Sequence, residues 1–113
     1  MECPEQLSRR AKAALQNEAI NLELSAVSLT EIAIKNRVGK LTFPADVVHK
    51  ALEALGIRIL PFTEGHAFQV FELPPHHRDP FDRQIIAQAL CERIPLATPD
   101  EKFELYEGLK IVW

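Results

Sequence analysis

The chain has 113 residues, one domain's worth, enough to bury roughly two thirds of its unfolded surface in a single core spanning 1–113. Apolar residues make up 47% and charged ones 26%, with no biased stretch or repeat, which excludes disorder and low complexity. The net charge of −3 offers no broad basic footprint for passive coating of nucleic acid. It leaves room for an enzyme whose carboxylates hold metal ions against a phosphate.

Uninterrupted apolar runs are far too short for a bilayer span or a signal peptide, so a soluble, cytoplasmic protein with no membrane partner is expected. Cys3 and Cys91 lack C-x-x-C spacing, and His49, His66, His76 and His77 make no zinc pattern with them. Both cysteines are expected as free thiols in a reducing compartment.

In chain order, Ala11, Ala14 and Leu15 recur at helical spacing from Ser8 to Gln16. Leu22, Leu24 and Ala26 alternate with polar partners, predicting a strand up to Val27. Ser28 to Leu41 reads as a helix with Ser28 as N-cap, Leu29, Ile32 and Ala33 on one face, and Gly39 as a stop. Pro44 opens a second helix with Val47, Val48, Ala51, Leu52 and Leu55 on one side, closing at Gly56. Ile57 and Ile59 then alternate toward Pro61 as a strand. Thr63 begins another helix, with Ala67, Val70 and Phe71 expected inward, ended by Pro74-Pro75, which removes two donors and stiffens the loop to Arg78. Asp79-Pro80 reads as N-cap and first helical residue of a helix with Phe81, Ile85, Ile86, Ala89 and Leu90 facing the core. A strand from Ile94 to Ala97, a helical turn from Thr98-Pro99 through Leu105, and a terminal strand with Leu109, Ile111 and Trp113 complete the chain.

Alternating strands and helices predict an α/β layer fold with a mostly parallel sheet. Ligands of such folds gather where strands exit into helices, so acids placed there are the residues to inspect. Glu31 follows the first strand, Asp79 and Asp82 open the helix after the proline pair, and Asp100 follows the Ile94 to Ala97 strand. Convergence of these exits would gather hard oxygen ligands suited to Mg²⁺ or Mn²⁺. Each acid also has a plain structural use: Ser28-x-x-Glu31 fits a capping box, Asp79 an N-cap, and Asp82 and Asp100 complement a helix dipole.

His76-His77 beside Arg78 suits phosphate contact or proton transfer, and equally an exposed polar turn. Lys35, Arg37 and Lys40 form a basic helix end, in keeping with the dipole and open to RNA backbone. No Gly-rich phosphate loop, G-x-S-x-G elbow or HExxH is present, so nucleotide kinases, serine hydrolases and zincins find no support.

Taken together, SAVSLTEIAIKNRVGKL, LPPHHRDPFDRQIIAQAL, LATPDEKF and the closing GLKIVW resemble the VapC-type PIN-domain toxins over nearly the whole chain. HHRDPFDR-x-IIAQA is the most specific stretch. The resemblance implies a small α/β/α sandwich and a Mg²⁺- or Mn²⁺-dependent endoribonuclease acting on RNA. It also implies a VapB-like antitoxin protein as partner, and relatives often dimerise. The family's catalytic and metal-binding acids map onto Glu31, Asp82 and Asp100, with Asp79 and Thr98 in support. Lys35, Arg78 and Arg83 are the residues expected to meet RNA phosphate.

One departure stands out. The family begins with a short apolar strand ending in an Asp, central in its sheet and in its metal site, and MECPEQLS opens beyond that point. Three accounts are open: Met1 is internal to a longer active protein, the chain is a catalytically incomplete remnant that binds an antitoxin or itself, or two chains exchange elements. The intact acids and DPFDR stretch favour the first. A smaller departure is Thr30, where relatives often carry an aromatic residue.

Overall fold

A computed structural model of the chain describes residues 9, 22–39 and 43–112. The helix expected from Ser8 to Gln16 and the place of Trp113 lie outside the described residues, Arg9 apart. Residues 22–62 and 63–112 fall into two compact units, each built from a parallel strand pair and helices.

In the first unit, β1 (Glu23–Ser25) runs parallel to β2 (Arg58–Leu60), with Leu24 opposite Ile59 and Glu23 opposite Arg58. Parallel neighbours need a crossover, and helices α1 (Ala26–Arg37) and α2 (Ala45–Leu55) supply it. The first strand is shorter than predicted because Ser25, not Ser28, caps α1. The Ser25 backbone is extended and its Oγ accepts from Val27 N–H at 3.1 Å. Ser28 therefore lies inside the first turn, and the expected Ser28–Glu31 capping box does not form. Val27 and Ile32 are the buried apolar residues of α1, whereas Ala33 faces outward.

Helix α2 closes at Gly56, whose φ of 64° suits a residue without Cβ. Its apolar side is as regular as the sequence suggests, yet none of its residues is buried, and Leu55 is 67% exposed.

The second unit contains α3 (Glu64–Val70), α4 (Pro80–Glu92), β3 (Leu96–Ala97), a 3₁₀ turn (Glu101–Leu105) and β4 (Ile111–Val112). Leu96 pairs with Ile111 and Ala97 with Val112, again in parallel. The core gathers Leu73, Ile86, Ala87, Phe103 and Tyr106, flanked by Val70, Leu90, Leu96, Leu109 and Ile111. Helix α4 is buried around its circumference from Ile86 to Ala89. This includes Ala87 and Gln88, which a one-sided pattern would leave outside.

The face expected on α3 is rotated. Ala67 is exposed and Phe71 is 82% exposed, stacked on exposed Phe68, while His66 is buried at 2% exposure. His66 completes a capping box: Thr63 Oγ1 accepts from His66 N–H, and Thr63 N–H donates to His66 Nδ1 at 2.9 Å. With Nδ1 accepting, the neutral ring carries its proton on Nε2, which donates to Glu92 Oε2 at 2.9 Å. Cys91 is a free, exposed cysteine, and no helix among the described residues is long and apolar enough to cross a membrane.

Candidate functional site

The acids of the second unit are set by local chain chemistry. Asp79 caps α4, its Oδ1 accepting from Phe81 N–H at 2.8 Å, and Pro80 at the first helical position has no amide to satisfy. Asp82 then falls in the first turn of α4, half-buried. Asp100 leaves β3 through an Asx turn of its own: its Oδ1 accepts from Lys102 N–H at 2.9 Å, and its N–H donates to Thr98 Oγ1 at 3.2 Å. Thr98 N–H in turn continues the ladder to Val112 O. The hydroxyl of Thr98 thus sets the turn that presents Asp100.

Beside these acids stands His77, which the resemblance does not place in the site. Its Nε2 lies 3.3 Å from Asp100 Oδ2 and its Nδ1 3.0 Å from Tyr106 Oη. One ligand-type atom each from His77, Asp82 and Asp100 lies within 4.8 Å of the other two. The sequence offers His77 only with His76, as a pair suited to phosphate contact or proton transfer, and its place after Pro74-Pro75, where a stiff loop makes a side chain's direction reproducible, is the signal for more. Its neighbour His76 is exposed and packs edge-on against Tyr106.

The loop bearing His77 is held by Arg83. Nη1 donates to Pro74 O at 3.1 Å and to His77 O at 3.5 Å, and Nη2 to Leu73 O at 3.4 Å. Arg83, a residue expected to meet phosphate, has its guanidinium engaged with these main-chain carbonyls. Arg78 is exposed on the same loop.

The carboxyl of Asp100 is held below its ordinary value, chiefly by the Lys102 backbone N–H. Partial burial opposes this, and the hydrogen bond and charge of His77 assist it. Asp100 is therefore an ionised acceptor, and each of its oxygens keeps a second lone pair beyond the bonds described. Two half-buried carboxylates at this spacing are a donor set suited to a hard divalent cation.

Glu31 belongs to the first unit, in the second turn of α1. There it forms an i,i+4 ion pair with Lys35 at 3.2 Å. Lys35, a second residue expected to meet RNA phosphate, thus faces a carboxylate of its own helix. Asp79 is exposed and occupied as a cap, so its observed part is to start α4 and thereby place Asp82.

A second group of ligand-type atoms, His66, Cys91 and Glu92, lies where α3 and α4 meet. A metal at His66 Nε2 would displace the proton given to Glu92 and push it to Nδ1, breaking the capping bond from Thr63. This group is a structural tie.

No curated protein matches the chain in sequence. Its structure is similar to a chain in the crystal structure of VapBC2 from Rickettsia felis bound to a DNA fragment from their promoter. The two are 20% identical with a TM-score of 0.64, over 88% of this chain and 78% of that one. The helices and short parallel strands that bring Asp82 and Asp100 together are thus those of the fold read from HHRDPFDR and LATPD. With the PIN domain model matching residues 3–109, the chain belongs to the PIN domain family.

Proposed function

We propose that this PIN domain protein is a metal-dependent endoribonuclease of the toxin class, using Mg²⁺ or Mn²⁺ held by Asp82 and Asp100. The observation that carries this reading is the meeting of those two carboxylates, from the start of α4 and the end of β3, beside His77. Glu31 is a further acid on the family's pattern alone. A divalent cation bound there supplies an activated water and charge stabilisation for attack on phosphate.

The chain's own residues prepare the site. Lys102 N–H and His77 orient the Asp100 carboxylate, Thr98 sets its turn, and Arg83 holds the loop behind it. Exposed Arg78 is placed to meet RNA phosphate. The VapBC2 neighbour is a complex, which supports a VapB-like antitoxin as the protein partner here. The reading places the protein in the cytoplasm, and a homodimer accords with the resemblance.

The test is cleavage of a mixed RNA pool with Mn²⁺, beside the Asp82→Asn variant and a chelated control. Metal-dependent cutting that the variant loses is expected. Equal cutting by Asp82→Asn would remove the metal-site argument. A folded chain that binds a VapB-like peptide but cuts nothing would mark a binding protein instead.

A further inference from the structure

His77 and Tyr106 stand directly behind Asp100, and the direction of their hydrogen bonds can be derived. The Asp100 carboxylate only accepts, so its 3.3 Å contact with His77 Nε2 requires a proton on Nε2. In the neutral ring Nδ1 is then a bare lone pair, and the partner 3.0 Å away, Tyr106 Oη, must donate. Tyr106 is 2% exposed, which denies its hydroxyl an alternative partner in bulk water. In the neutral ring protons thus point one way along the chain, from Tyr106 to His77 and from His77 to Asp100.

The ring cannot readily turn out of this arrangement. It packs edge-on against Phe103 at a centroid distance of 4.6 Å and stacks on Tyr106 at 5.5 Å. Its backbone carbonyl is held by Arg83. On the far side, Lys102 N–H fixes the other Asp100 oxygen. Both oxygens are therefore directed before any cation arrives, each retaining a lone pair.

We propose that Tyr106 and His77 act together as positioning residues, fixing the imidazole as its Nε2–H tautomer so that the Asp100 carboxylate is preset to receive a divalent cation. This rests on the reading of Asp82 and Asp100 as cation ligands. Buried groups that orient a ligating carboxylate contribute about 10- to 100-fold to metal affinity, without touching the metal.

The experiment combines imidazole ¹⁵N spectra with Mn²⁺ titration of the full chain, in the wild type and in Asp82→Asn, Tyr106→Phe, His77→Ala and His77→Gln. The wild-type ring is expected as the Nε2–H tautomer. Tyr106→Phe, which removes one oxygen and keeps the packing, takes away the partner that holds Nδ1 and should weaken Mn²⁺ binding about 10-fold. His77→Ala should weaken it further, and His77→Gln, whose amide N–H can replace Nε2–H, should recover part of the loss.

An Nδ1–H or doubly protonated wild-type ring would overturn the proposal, because the phenol would then accept and dictate nothing. Wild-type Mn²⁺ affinity in Tyr106→Phe, with binding lost in Asp82→Asn, would overturn it while leaving the metal site standing. Absence of Mn²⁺ binding by the wild type would overturn the metal-site reading itself, and the presetting role with it.

Discussion

The guanidinium of Arg83 reaches back from the first turns of its helix to the carbonyl of Pro74, with Nη1 3.1 Å from that oxygen. Proline pairs supply no amide donors of their own, and Pro74 O accepts the His76 N–H at 3.0 Å besides the guanidinium. A planar fork answers two or three carbonyls at once, and Arg83 also takes Leu73 O and His77 O.

Arg83→Lys keeps the charge and loses the fork. The expected outcome is a loss of about 1–2 kcal/mol in urea unfolding, since a point charge cannot serve carbonyls on both sides of the loop. If Arg83 acted only as a positive charge facing phosphate, the variant would match the wild type in stability.

His66 joins α3 to α4 through its two nitrogens, one accepting the Thr63 amide and the other donating to Glu92. His66→Ala removes the cap partner and leaves a buried space, so a loss of about 2 kcal/mol or more is expected. His66→Gln, whose side chain can still accept from Thr63 N–H, should lose less. Equal thermal stability of the two variants would show that packing, and not the capping box, carries the effect.

Because Asp100 has its pKa lowered on folding, its contribution to stability is present above the ordinary carboxylate value of 3.8. That contribution is lost as pH falls through the lower folded value. Compared with Asp100→Asn by urea unfolding at a series of pH values, the wild type should show its full relative advantage above about pH 5. The advantage should shrink with acidification below the ordinary value. A pH-independent difference would contradict the ionised, amide-bonded state of this carboxylate.

The elements legible in the sequence were those punctuated by local chemistry. Asp79-Pro80 opened α4 as expected, Gly56 closed α2, and Thr63 began α3, because capping and φ preferences act within a few residues. Where two caps competed, local rules did not choose. Ser25 and Ser28 are both good caps, and the pairing with the neighbouring strand ends at Ser25, opposite Leu60, where Ser25 then serves.

The candidate site was legible in part. Asp82 and Asp100 were marked by their places at a helix start and a strand exit, and the structure brings them together. Tyr106 was not, and His77 entered only with His76 as a pair suited to phosphate contact or proton transfer, since the bond between them joins positions 29 residues apart. The proline pair before His77 stiffens its loop, but nothing near either residue names the other as its partner. Arg83 carried a charge that suited phosphate equally well, and only the position of three carbonyls shows its use.

The amino-acid sequence alone carried the α/β alternation, the helix starts and the family motifs, because those depend on short-range sterics, capping and patterning. The rotated face of α3, the all-round burial of α4 and the chain from Tyr106 through His77 to Asp100 came only with the folded structure. Burial and hydrogen-bond direction depend on which distant residues share a volume, and a periodic pattern does not encode that.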